Sequence, residues 1–135
     1  MLNFSDVTCL AIAAILTFLL GLEREMKGRE AGIRTHLIVG VASCLIMIVS
    51  KGIEPSNAAR LAVGALTGMG FLGAGVVMKT KSHVKGLTTA AGLWSCSVIG
   101  LACGADYWLL AMLTTFIILV SNTILKNFFK FLKLI

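Results

Sequence analysis

The run Val7-Thr-Cys-Leu-Ala-Ile-Ala-Ala-Ile-Leu-Thr-Phe-Leu-Leu-Gly-Leu22 holds sixteen residues without a charge or a proline. As a helix rising 1.5 Å per residue it is about 24 Å long, near the short end of what crosses a hydrocarbon core of about 30 Å. Four further apolar runs follow, Thr35 to Ser50, Leu61 to Met78, Leu87 to Gly104 and Tyr107 to Leu125, separated by charged or turn-like segments. The whole chain of 135 residues is 58% hydrophobic and 13% charged, where soluble domains carry about 25% charged residues. A domain this small buries only about 60 to 70% of its surface, so much of this apolar area must face lipid or protein. The pattern predicts an all-α integral membrane protein with five transmembrane helices. The first run has Asp6 before it and no Lys or Arg until Arg24, so it lacks the basic start of a signal peptide and is expected to remain in the mature protein.

Orientation follows from the distribution of Lys and Arg. Ten of the twelve lie after helix one, after helix three and in the tail; only Lys51 and Arg60 lie on the other side. By the positive-inside rule the N-terminus is outside and the C-terminus cytoplasmic. The net charge of +6 is then chiefly a topology signal, and no nucleic-acid partner is expected. Residues 1–125 form a single transmembrane domain. In the tail, 126–135, Lys126, Lys130 and Lys133 share one helical face opposite Phe128, Phe129 and Leu132, which predicts a short basic amphipathic helix lying on anionic lipid.

Polar chemistry is sparse. The six carboxylates fall outside the mid-membrane, with Glu23, Glu25 and Glu30 on the inner side and Asp6, Glu54 and Asp106 on the outer. No intramembrane acid marks an ion path, so no metal site is expected and Mg²⁺ enters only as a transported or sensed ion. Cys9, Cys44, Cys96 and Cys103 lie in apolar stretches without metal-ligand spacing and read as small buried residues. No nucleophile has a base within helical reach, so the chain is not expected to be an enzyme.

After helix one, Glu23 to Lys27 and Glu25 to Arg29 are i, i+4 pairs in the favourable order, which extends that helix beyond its apolar run. Glu23 and Arg34, at the membrane boundary, are candidates to pair with each other or with neighbouring helices. His36, beside Thr35, reads as a hydrogen-bonded interfacial histidine. Helix three carries Gly64, Gly68 and Gly75 on one side and Gly70 and Gly73 on the other, which predicts a central helix packed on both faces and a homodimer contact. Its glycine density leaves a second reading open, an unwound segment near Gly70 to Gly75. In helix four, Thr88, Gly92, Ser95 and Cys103 align, with Thr89 and Cys96 beside them, suited to interhelical hydrogen bonds or a permeation lining. Trp94 is mid-helix and reads as a packing or partner residue, while Tyr107 and Trp108 fit an interfacial aromatic belt.

Three strings occur in order across nearly the whole chain: Gly21-Leu-Glu-Arg-Glu25 with Ala31-Gly-Ile-Arg-Thr-His36, then Thr67-Gly-Met-Gly-Phe-Leu-Gly-Ala-Gly75, then Gly86-Leu-Thr-Thr-Ala-Ala-Gly-Leu-Trp94. Together they resemble the MgtC/SapB family of bacterial inner-membrane proteins. The resemblance implies a multi-pass plasma-membrane protein of magnesium homeostasis, virulence-associated in some members. It also implies regulation by binding another membrane complex, with the F-type ATP synthase as the family candidate and Mg²⁺ transport as the alternative. Many members continue into an ACT-like cytoplasmic domain, so the resemblance is to a short form without it or to a truncated piece of a longer chain. By position it would make Glu23, Arg34, Thr35, His36, Gly70, Gly73, Thr88, Thr89 and Trp94 functional.

Overall fold

The computed structural model describes residues 3–79 and 82–125; the expected tail helix at 126–135 lies outside them. Five helices run alternately up and down: α1 (Phe4–Met26), α2 (Ile33–Ile53), α3 (Ala58–Val76), α4 (Leu87–Gly104) and α5 (Trp108–Val120), the last continuing as a π turn over Ser121–Leu125. The chain forms an all-α membrane protein whose first four helices are long and apolar enough to cross a bilayer. The fifth, Trp108–Ile124, is apolar but shorter than those four. Helix α1 extends one turn past its apolar run, as the Glu23–Lys27 pair predicts, and that ion pair forms.

Each connection has a local cause. Asp6 accepts a hydrogen bond from the Asn3 N–H at 3.2 Å, which closes the start of α1. Gly28, at φ 60°, reverses the chain after α1, and the Glu25 carboxylate then accepts the Ile33 N–H at 2.8 Å, satisfying a free donor at the start of α2. Pro55 opens a 3-10 turn in which Glu54 accepts from Asn57 Nδ2 at 2.6 Å. A two-residue hairpin, β1 (Met78–Lys79) against β2 (Val84–Lys85), joins α3 to α4 with Met78 opposite Lys85. Asp106, at φ 67°, makes the turn into α5 and takes an ion pair from Lys51 on α2.

The packing centre is α4. It touches all four other helices and buries half of its membrane-length window. Leu93, Cys96, Ser97, Ile99, Gly100 and Cys103 are within its buried face. Close approach to α2 depends on Gly100 and Gly104: a Cβ at Gly100 would strike the Gly40 carbonyl, and one at Gly104 would lie 2.8 Å from Met47. Gly40 meets Thr17 of α1, and Gly21 meets Ile33, so glycines bring α1, α2 and α4 together. Ser43 and Ser97 share a hydrogen bond of 2.8 Å across that contact. All four cysteines are buried in the core, as their apolar settings predict.

Helix α3 departs from the expectation of a central helix packed on both faces. It is continuous from Ala58 to Val76, without the unwound segment, and buries only Met69 and Gly73. Gly73 lies against Ala90, whereas a Cβ added at Gly64, Gly68, Gly70 or Gly75 would meet no neighbouring atom within 4 Å among the described residues. The Gly64-x-x-x-Gly68 spacing allows close approach but does not supply a neighbour, and within one chain the inner positions go to α1, α2 and α4. The hydroxyl face expected on α4 also divides: Thr89 and Ser97 are buried, Thr88 is exposed, and Ser95 returns its hydrogen to the Ala91 carbonyl at 2.8 Å.

Candidate functional site

At the end of the bundle where α1 finishes and α4 begins, charged side chains are drawn inward. Extending the buried stripe of α1 through Ala13, Thr17 and Leu20 by one more turn reaches Arg24, which is 5% exposed. Its Nη2 donates to Thr89 Oγ1 at 2.8 Å, and the Thr89 hydroxyl donates in turn to Glu30 Oε2 at 3.1 Å. This relay ties α1, the α1–α2 turn and the first turn of α4. A hydrogen bond to a charged group contributes about 1.5 to 3 kcal/mol, and losing it would leave a buried guanidinium short of an acceptor. Glu30 is held below the ordinary carboxylate range, first by its own backbone N–H and then by Thr89.

Glu23 anchors the other wall. Its side chain is 10% exposed, pairs with Lys27, lies 3.9 Å from Arg24 Nη1 and accepts from Asn122 Nδ2 at 3.2 Å. Lys27 Nζ donates to the Asn122 carbonyl at 3.0 Å, so the π turn after α5 is joined to α1 from both sides. Between these walls and the hairpin lies a cleft of about 720 Å³. Arg29, Lys85 and Thr88 line it, together with the relay residues.

The structure therefore gathers Glu23, Thr88 and Thr89 from the expected set, with His36 buried behind them. His36 is fully buried and hydrogen-bonded: its Nδ1 pairs with the Gly32 carbonyl at 2.9 Å, and its Nε2 faces Gly92. Arg34 and Thr35 are not part of the site. At 100° per residue, turning His36 inward places its two predecessors outward, and both are exposed. Of the two pairings open to Glu23, the one with Arg34 does not form among the described residues; Glu23 pairs with Lys27 and Arg24 and accepts from Asn122 beyond α5. Trp94 is half exposed on the outer flank of α4, Gly70 is open, and Gly73 only touches Ala90. Arg24, Glu30 and Asn122 were not singled out by sequence reasoning. The stripe of small residues continuing into Arg24 is the signal that finds the first; Glu30 and Asn122 carry no comparable local signal. Among the described residues, no group of three or more His, Cys, Asp or Glu side chains is placed to hold a metal ion.

Comparison with known proteins bears on identity. Residues 10–131 match the model of the MgtC family. Protein MgtC of Salmonella typhimurium is 38% identical over 127 residues, covering 94% of this chain and 55% of that protein. Protein MgtC of Brucella abortus is 36% identical over 126 residues, covering 93% and 53%. The Escherichia coli K12 protein named "Putative magnesium transporter YhiD" is 40% identical over 111 residues, covering 73% and 50%. The chain spans about half the length of the curated relatives it matches. No solved structure matches it. With nearly all of its length matched to the family model, the chain belongs to the MgtC family.

Proposed function

We propose that this chain is a polytopic inner-membrane protein of adaptation to magnesium limitation, with its Arg24 end in the cytoplasm, and that it acts by binding and adjusting another membrane complex rather than by catalysis. The F-type ATP synthase is the candidate that the family resemblance supplies. The observation carrying the docking reading is α3: a membrane-length helix with only 11% of its window buried, whose Gly64, Gly68, Gly70 and Gly75 have no neighbour within 4 Å among the described residues. Small residues on a lipid-facing helix permit close approach by another helix, in a partner complex or in a second copy of the chain. Ten basic residues on the Arg24 side and its connected tail support the orientation.

The test is ATP-driven proton pumping in inverted membrane vesicles, with and without the chain. Pumping should fall when the chain is present and recover with Gly68→Leu, which alters the open face without touching the core. Unchanged pumping would reject the ATP synthase as target, and a Gly68→Leu protein that still lowers pumping would reject α3 as the docking face.

A second reading, a transporter of Mg²⁺, is favoured by the name of the YhiD relative and by the placement of Thr88 and Thr89 at a cleft open to solvent. It predicts magnesium entry into sealed liposomes holding the purified protein, read by an internal dye and lost in Thr88→Val. Entry no faster than into empty liposomes would reject it.

A further inference from the structure

The cleft beside Arg24 is electrically unbalanced. Four cations line it, Arg24, Lys27, Arg29 and Lys85, against two carboxylates, Glu23 and Glu30. Glu23 is engaged by Lys27 and Arg24, and Glu30 by the Thr89 hydroxyl. Arg29 and Lys85 are left without a carboxylate in ion-pair range among the described residues. The first turn of α4 opens into the same space. Its first intrahelical bond is Ala90 N–H to Gly86 C=O at 2.8 Å, so the N–H groups of Leu87, Thr88 and Thr89 precede the helical ladder, and no side chain among the described residues caps them. Gly86 makes this possible: it sits at φ 86°, and a Cβ there would strike the Val76 carbonyl.

A helix start of this kind attracts anions through its free N–H groups and dipole. Arg24 adds its charge to the same space: it is 5% exposed, lines the cleft, and donates Nη2 to Thr89 in that first turn.

We propose that this cleft binds a phosphate group, seated between the first turn of α4 and the Arg24, Arg29 and Lys85 cations. Two sources share that chemistry: the headgroup of an anionic phospholipid, entering from the membrane edge, and free inorganic phosphate. Exposed Leu87 and Val84 at the rim suit the acyl side of a lipid. The proposal stands apart from the docking face on α3 and does not depend on it.

The test uses the full purified chain in detergent. Native mass spectrometry with phosphatidylglycerol, against phosphatidylcholine as the zwitterionic control, reads the lipid arm; calorimetric titration with sodium phosphate reads the other. The variant is Arg29→Gln with Lys85→Gln, both exposed and outside the core, and Lys79→Gln is the control for surface charge on the same hairpin but outside the cleft. Circular dichroism checks that each variant folds. Retention of phosphatidylglycerol over phosphatidylcholine, reduced about tenfold in the double variant and little changed in Lys79→Gln, would establish the lipid source. Saturable phosphate uptake with the same pattern of loss would establish the soluble one. Binding of neither probe, or equal loss in the double variant and Lys79→Gln, would overturn the proposal.

Discussion

Helices α3 and α4 share a composition of small residues and take opposite places. Helix α3 has five glycines between Gly64 and Gly75 and lies on the flank; α4 has three from Gly92 to Gly104 and forms the centre. The difference lies in what stands across from each glycine. Gly100 faces the Gly40 carbonyl and Gly104 faces Met47, so their missing side chains are filled by another helix. Gly64, Gly68 and Gly75 face nothing within 4 Å among the described residues. Glycine spacing thus licenses contact without assigning it, and polar side chains that find partners, Ser97 with Ser43 and Thr89 with Arg24, accompany the helix that goes inside.

The largest expected effect tests this contrast directly. Gly100→Leu should destabilise the bundle by about 3 kcal/mol or more, because the side chain must displace backbone of α2, whereas Gly68→Leu should change stability by under about 0.5 kcal/mol. Thermal unfolding in detergent compares them; equal losses would mean that α3 is as enclosed as α4. Next comes the relay at the cleft. Thr89→Val should cost about 2 kcal/mol by leaving Arg24 without its acceptor, and in Arg24→Leu the same Thr89→Val change should cost much less. Additive losses across that cycle would show that the two side chains do not act together.

Smaller effects sharpen the comparison. Ser43→Ala should cost about 0.6 kcal/mol, the average for a hydrogen bond between membrane helices, and Ser95→Ala should cost less, since its hydroxyl bonds within its own helix. The smallest belongs to the opposite end. Lys51 first, and then hydrogen bonds from Cys9 and Ser5, hold Asp106 below the ordinary carboxylate range. A lowered folded value means that its contribution is present above the unfolded value near pH 4 and fades as pH falls through the folded one. The side chain is half exposed, so screening limits the effect to about half a kcal/mol. Asp106→Asn should lower stability near neutral pH by about that half kcal/mol, flatten the acid-side slope, and leave stability below the folded value little changed.

Much of the fold was legible in the residues. Apolar runs located the helices to within a few positions, and Glu23 to Lys27 announced the extension of α1. Of the site, Glu23, Thr88 and Thr89 were legible. Arg34 was not distinguishable from Arg24 by charge or boundary position, because the turn at Gly28 sets the helical phase of α2 and so decides which side chains enter. The open state of α3 was illegible for a similar reason: a glycine that packs and one that does not are the same residue at the same spacing.

By itself the sequence determined that this is a helical membrane protein, where its helices begin and end, and which ends collect positive charge. Those properties are local sums: about twenty apolar residues must satisfy their own backbone hydrogen bonds in lipid, whatever their neighbours. Only the tertiary structure decided that α4 is central and α3 peripheral, and that Arg24 rather than Arg34 is buried against Thr89. Those outcomes depend on which surfaces meet, and contact is a property of pairs of helices that no single helix encodes.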